Sequence, residues 1–125
     1  MKIELPILHQ QMKDGEVIST ETIEVFDIDT SVYSEERWEQ HFPELAAREG
    51  LFEYIERIHK SSVAERVRIA SMLKAIFCFI ESDSVKSYRE FARLFNLAAP
   101  EYSTRLINKL KQNFQAILGG SSVKN

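Results

Sequence analysis

The amino-acid sequence predicts a mainly α fold, a compact helical domain of about five helices carrying an N-terminal β hairpin. Three observations predict it. Only three prolines and four glycines interrupt 125 residues, which is few for a loop-rich chain. From Ser34 onward apolar residues recur at helical spacing. Two-residue alternation, and a segment rich in β-branched residues, fall within about the first 29 positions. The expected organisation is a hairpin over 1–29, a helical domain over 30–119 and a flexible tail over 120–125.

In KIELPIL (2–8), Ile3, Leu5 and Ile7 alternate with Lys2, Glu4 and Pro6, as in a strand with one buried face. Pro6 has no amide proton to give a ladder, which assigns this strand to an edge. Asp14-Gly15 is a hairpin signal, because a type I′ turn needs positive φ at both central residues. VISTETIEVFDID (17–29) is β-branched but irregular in its alternation, so a bulge or break is expected there.

The helices follow in order. Ser34 before Glu35-Glu36 is an expected N-cap, with negative charge at the positive end of the helix dipole. Trp38, Phe42 and Leu45 share its face, and Pro43 either kinks this helix or opens the next. After Gly50, LFEYIERI (51–58) aligns Leu51, Phe52, Ile55 and Ile58. Ser62 and Glu65 have capping-box spacing and open a helix over 63–80, with Val63, Val67, Ala70, Leu73, Ile76, Phe77 and Ile80 on its stripe. Its second half is apolar nearly all round, the pattern of a central helix. A fourth helix is expected over about 84–96 and a fifth over about 100–118, the latter starting at Pro100 and stopping at Gly119-Gly120.

Little in this chain can do chemistry. One cysteine, Cys78, leaves no internal disulfide, and its place between Phe77 and Phe79 predicts an inert thiol. Glu56 and His59 form one Glu-x-x-His unit, but a di-iron bundle needs two units and two further glutamates. No HExxH, G-x-S-x-G or phosphate-cradling glycine loop occurs. The expectation is therefore no enzyme, no cofactor and no metal. The N-terminus lacks signal-peptide features, and the most apolar run, residues 69–80, is too short to span a bilayer.

Charge is divided. Residues 1–58 hold fourteen Asp/Glu and five Lys/Arg, net −9, whereas 59–125 hold five and eleven, net +6. Either the halves neutralise one another on folding, or opposite patches drive self-association or docking. Residues 87–113 have some features of a helix-turn-helix, with Arg105, Lys109 and Lys111 as phosphate contacts. The Asn96–Pro100 connection is long for that motif, and the pI of about 5.6 is acidic, so nucleic acid is the second choice of partner. Six aromatics crowd the acidic half, Phe26, Tyr33, Trp38, Phe42, Phe52 and Tyr54. An exposed aromatic patch ringed by carboxylates would be a protein-recognition surface.

Residues 27–58, DIDTSVYSEERWEQHFPELAAREGLFEYIERI, resemble the tail assembly chaperones of siphophages infecting Gram-positive bacteria. The similarity continues through LKAIFCFIESD (73–83), residues 91–114 and the terminal SSVKN, about residues 26–125 in all. Its most specific stretch runs from Tyr33 through Trp38 and Phe42-Pro43 to Leu51-Phe52 and Tyr54. The resemblance implies a non-catalytic protein of the infected host's cytoplasm, absent from the finished virion. Such proteins bind the tape measure protein, keep it soluble and help recruit tail tube subunits. A longer frameshifted form and homo-oligomers are also implied. Trp38, Phe42, Phe52 and Tyr54 are the expected partner-binding residues, for client or self-contact.

Overall fold

A computed structural model of the chain describes residues 1–81 and 87–119. With 56% helix and 23% strand it is a mixed α/β fold, which corrects the mainly α expectation. Strand β1 (Lys2–Lys13) and strand β2 (Glu16–Asp27) are followed by α1 (Val32–His41), α2 (Pro43–Ala46), α3 (Leu51–Lys60), α4 (Glu65–Phe79), α5 (Tyr88–Ala92) and α6 (Pro100–Gly119). The residues 84–86 assigned to the fourth helix, Gly120 and the 120–125 tail lie outside the described residues.

Both strands run twelve residues in one unbroken antiparallel register, from Lys2↔Asp27 to Lys13↔Glu16, with no bulge in β2. Asp14 and Gly15 turn the chain with φ of 54° and 80°, the left-handed pair that a type I′ turn requires. Such a turn makes Lys13↔Glu16 a hydrogen-bonded pair, so every second pair inward from it, including Pro6↔Ile23, turns its backbone groups away from the ladder. Proline's missing N–H therefore costs the hairpin nothing.

α6 packs along the base of that outer edge of β1. The Tyr102 hydroxyl donates to the Pro6 carbonyl at 2.8 Å and Asn113 Nδ2 donates to the Glu4 carbonyl at 3.0 Å. Arg105 pairs with Glu21 at 2.6 Å and Lys109 with Glu4 at 3.5 Å. Tyr102 and Asn113 lie on the stripe of Leu106, Leu110 and Ile117, an otherwise apolar face. Tyr102→Phe leaves a buried carbonyl without its donor and is expected to cost about 1–2 kcal/mol, read as a lower urea midpoint.

One core spans hairpin and helices. Ile3, Leu5 and Ile7 join Leu51, Ile55, Met72, Ile76, Phe91, Leu106 and Phe114. α4 is its axis. All residues from Ala75 to Ile80 are buried, whereas the expected stripe members Val63 and Val67 are exposed. No capping box forms at Ser62, and α4 begins after Ala64 without a side-chain cap. Ser61 and Arg68 instead serve the end of α3, Ser61 Oγ donating to the Ile58 carbonyl and Arg68 to the Ser61 carbonyl. α5 spans only five residues, capped by Ser87. Beyond the base of the hairpin the strands leave the core, and residues 9–20 are all exposed. Five residues of β1 past Leu8 extend roughly 17 Å.

Candidate functional site

The SEERWEQHF stretch (34–42) acts as an internal brace. Ser31, rather than the expected Ser34, caps α1, its Oγ accepting from the Tyr33 amide at 3.3 Å. Ser34 is buried and donates its hydroxyl to the Ser31 carbonyl at 2.7 Å. Glu35 Oε1 accepts from the Leu51 amide at 2.8 Å, placing a carboxylate on the N-terminal end of α3. A Cβ on Gly50 would come within 3.2 Å of Glu53 Oε1 and 3.4 Å of Glu35 Oε1, so the side-chain-free residue suits this crowded end. Arg37 reaches the opposite kind of terminus. Its Nε and Nη2 donate to the Cys78 and Phe77 carbonyls, each at 3.1 Å, at the end of α4. The last turn of α4 has no basic residue of its own, so Arg37 supplies the cation that its dipole favours. One turn of α1 thus holds the ends of two neighbouring helices.

Trp38 is 1% exposed. Its indole lies 4.7 Å from the Tyr54 ring and 5.5 Å from the Phe42 ring, and Nε1 donates to the Glu49 carbonyl at 3.0 Å. Tyr54 is buried beside it, with burial raising its phenol pKa. The aromatic patch expected on the surface is thus largely internal. The acidic half buries these rings because the other half brings α4 to them, Phe77 meeting Phe42 and Phe79 meeting Phe52. Of the six crowded aromatics, Tyr33 alone is exposed, at 51%, and Phe26, Phe42 and Phe52 are half-buried.

Phe42 and Phe52 line two separate grooves. An opening of about 340 Å³ is bounded by His41, Phe42, Pro43, Glu44, Leu45 and Lys74. Burial, and then the charge of Arg37, lower the pKa of His41, whose ring meets Phe77 edge-on at 4.8 Å. A larger opening of about 610 Å³ lies between α3 and the end of α6. Met1, Phe52, Ala116, Ile117 and Leu118 give it apolar walls, with Thr30, Glu53 and Glu56 completing the lining. Sequence spacing could not find this groove, because its walls come from both ends of the chain.

Arg105 and Lys109, the proposed phosphate contacts, are engaged by hairpin carboxylates. This supports the neutralisation reading of the charge division. Glu56 pairs with Lys60 at 3.6 Å, and His59 Nδ1 is buried without a hydrogen-bond partner among the described residues. No group of three or more metal-binding side chains converges among the described residues, and no helix there is long and apolar enough to cross a membrane. Comparison with protein-family models, curated proteins and solved structures returns no match.

Proposed function

We propose that this chain is a tail assembly chaperone, which holds the tape measure protein soluble in the host cytoplasm and helps recruit tail tube subunits during tail assembly. The observation that carries the reading is the Phe52 groove, an open apolar trough of about 610 Å³ with Glu53 and Glu56 among its lining residues. An amphipathic client helix presents anchors at i, i+3, i+4 and i+7, and such a trough accepts one or two of them. Carboxylates beside the apolar surface favour a client whose anchors are flanked by lysine or arginine. A short contact of this kind binds weakly and releases readily, so many copies acting along one client supply the retention. The sequence resemblance over about residues 26–125 adds support from outside the groove.

The aromatic set is revised accordingly. Phe52 is assigned to client contact and Phe42 to a secondary groove, whereas Trp38 and Tyr54 support the surface from within. Phe52→Ala should weaken binding of the tape measure protein by about thirtyfold, the effect of losing a central aromatic anchor. Co-expression checks this: the client precipitates alone, stays soluble with the unaltered chain and precipitates again with the variant. A folded Phe52→Ala chain that keeps the client soluble contradicts the groove assignment. Tight duplex-DNA binding that collapses with added salt would instead favour the helix-turn-helix reading.

A further inference from the structure

We propose that the open edge of β2 binds an extended, lysine- or arginine-bearing segment of another polypeptide as an added strand. The site shares no residue with the Phe52 groove and does not depend on it. Alternation from the Lys13↔Glu16 pair turns the backbone N–H and C=O groups of Val17, Ser19, Glu21, Ile23 and Val25 away from β1. On the corresponding edge of β1 the Pro6 and Glu4 carbonyls are taken by Tyr102 and Asn113. Among the described residues nothing pairs with β2 at these five positions.

The chain itself uses this edge at its base. Glu81 N–H donates to the Asp27 carbonyl at 3.0 Å, Asp29 N–H donates to the Phe79 carbonyl at 2.7 Å, and Ile28 and Ile80 form an antiparallel bridge. The edge is therefore oriented to accept a strand where the protein tests it. Further along, Val17, Ile23 and Val25 are 61%, 56% and 55% exposed on the face away from the core. β2 carries no proline, lysine or bulge, the usual devices that blunt an edge.

Charge identifies the occupant. β2 contains Glu16, Glu21, Glu24 and Asp27 and no cation. Arg105 and Lys2 neutralise Glu21 and Asp27, while Glu16 and Glu24 form no ion pair among the described residues. Pairing β2 with the β2 of a second copy would set four carboxylates without ion-pair partners, Glu16 and Glu24 of each copy, along two adjacent strands, an arrangement that cross-strand repulsion disfavours. A strand with basic residues opposite Glu16 and Glu24 and apolar residues beside Ile23 and Val25 meets both demands. Backbone pairing then supplies affinity and the alternate side chains supply selectivity.

The probe is a blocked nine-residue peptide alternating valine with lysine or threonine, compared with the same peptide bearing glutamate for lysine. Residue-resolved amide exchange of the full chain should slow at Val17, Ser19, Glu21, Ile23 and Val25 with the basic peptide. That peptide should bind about tenfold more tightly than the acidic one. Ile23→Pro removes an outward N–H without touching the ladder to β1, and should abolish the added protection. Should that variant misfold, Glu16→Lys with Glu24→Lys leaves the backbone intact and should reverse the peptide preference. Absence of protection at these amides, equal binding of the two peptides, or concentration-dependent protection of the same amides without peptide would each overturn the proposal.

Discussion

Trp38→Ala is expected to lower the free energy of unfolding by about 3–5 kcal/mol, the cost of emptying a large, closed aromatic site. The loss has two parts. The void opens between Tyr54 and Phe42, whose rings now lie 4.7 and 5.5 Å from the indole. The Glu49 carbonyl also loses its 3.0 Å donor where α3 is about to begin. Gln40→Ala, on the exposed side of the same helix, should stay within about 0.5 kcal/mol. Chemical denaturation of the pair measures both effects. A Trp38→Ala chain of unchanged stability that lost client binding would make the indole a gripping residue and refute the brace.

Alkaline pH should destabilise the fold in two stages. Burial pushes the Cys78 thiol from its ordinary 9.0 up to about 12 and the Tyr102 phenol from 10.0 up to about 12. Burial also raises Tyr54 and Tyr88. Above pH 9 the unfolded thiol releases its proton while the folded one keeps it. The native state then binds more protons, so stability falls as pH rises. Cys78 alone should contribute a loss of about 1.4 kcal/mol per pH unit between its two values, steepening above pH 10 as the tyrosines join. Urea midpoints from pH 7.5 to 11 follow the decline. Cys78→Ala should flatten the first stage and leave the second, whereas an unchanged slope from pH 9 to 10 would place that thiol in contact with water.

Local signals in the sequence were read well where the chain's own neighbours set the geometry. Asp14-Gly15 needs only its two backbone conformations, and Pro43 opens α2 because its fixed φ and missing N–H suit a first helical turn. Irregular alternation in VISTETIEVFDID signalled a bulge that does not form. Residues 9–20 leave the core, so their side chains have no buried face to alternate against. The mainly α expectation gave too little weight to two strands of twelve residues each. Ser62 and Glu65 have capping-box spacing, yet the preceding residues are committed to closing α3.

The candidate site was less legible. Trp38 meets Tyr54 and the Glu49 carbonyl, and Arg37 reaches Phe77 and Cys78 some forty positions away, so spacing within 34–44 carries no trace of these contacts. Carboxylates and a lone arginine around a tryptophan have the composition of a binding surface. Here Glu35 and Arg37 are helix-end partners, and the tryptophan is core. One signal was available in α6, where Tyr102 and Asn113 interrupt an apolar stripe. Polar groups on a buried face require a polar neighbour, which proved to be the β1 edge.

Hydrogen exchange of the chain, alone and in complex with the tape measure protein, probes most directly whether the surface grips while the tryptophan region only supports. Binding should slow exchange in the α3 segment around Phe52–Glu56 and at Ala116–Leu118, with residues 34–38 unchanged. Slowing centred on residues 34–38, with the Phe52 groove unaffected, would contradict the account.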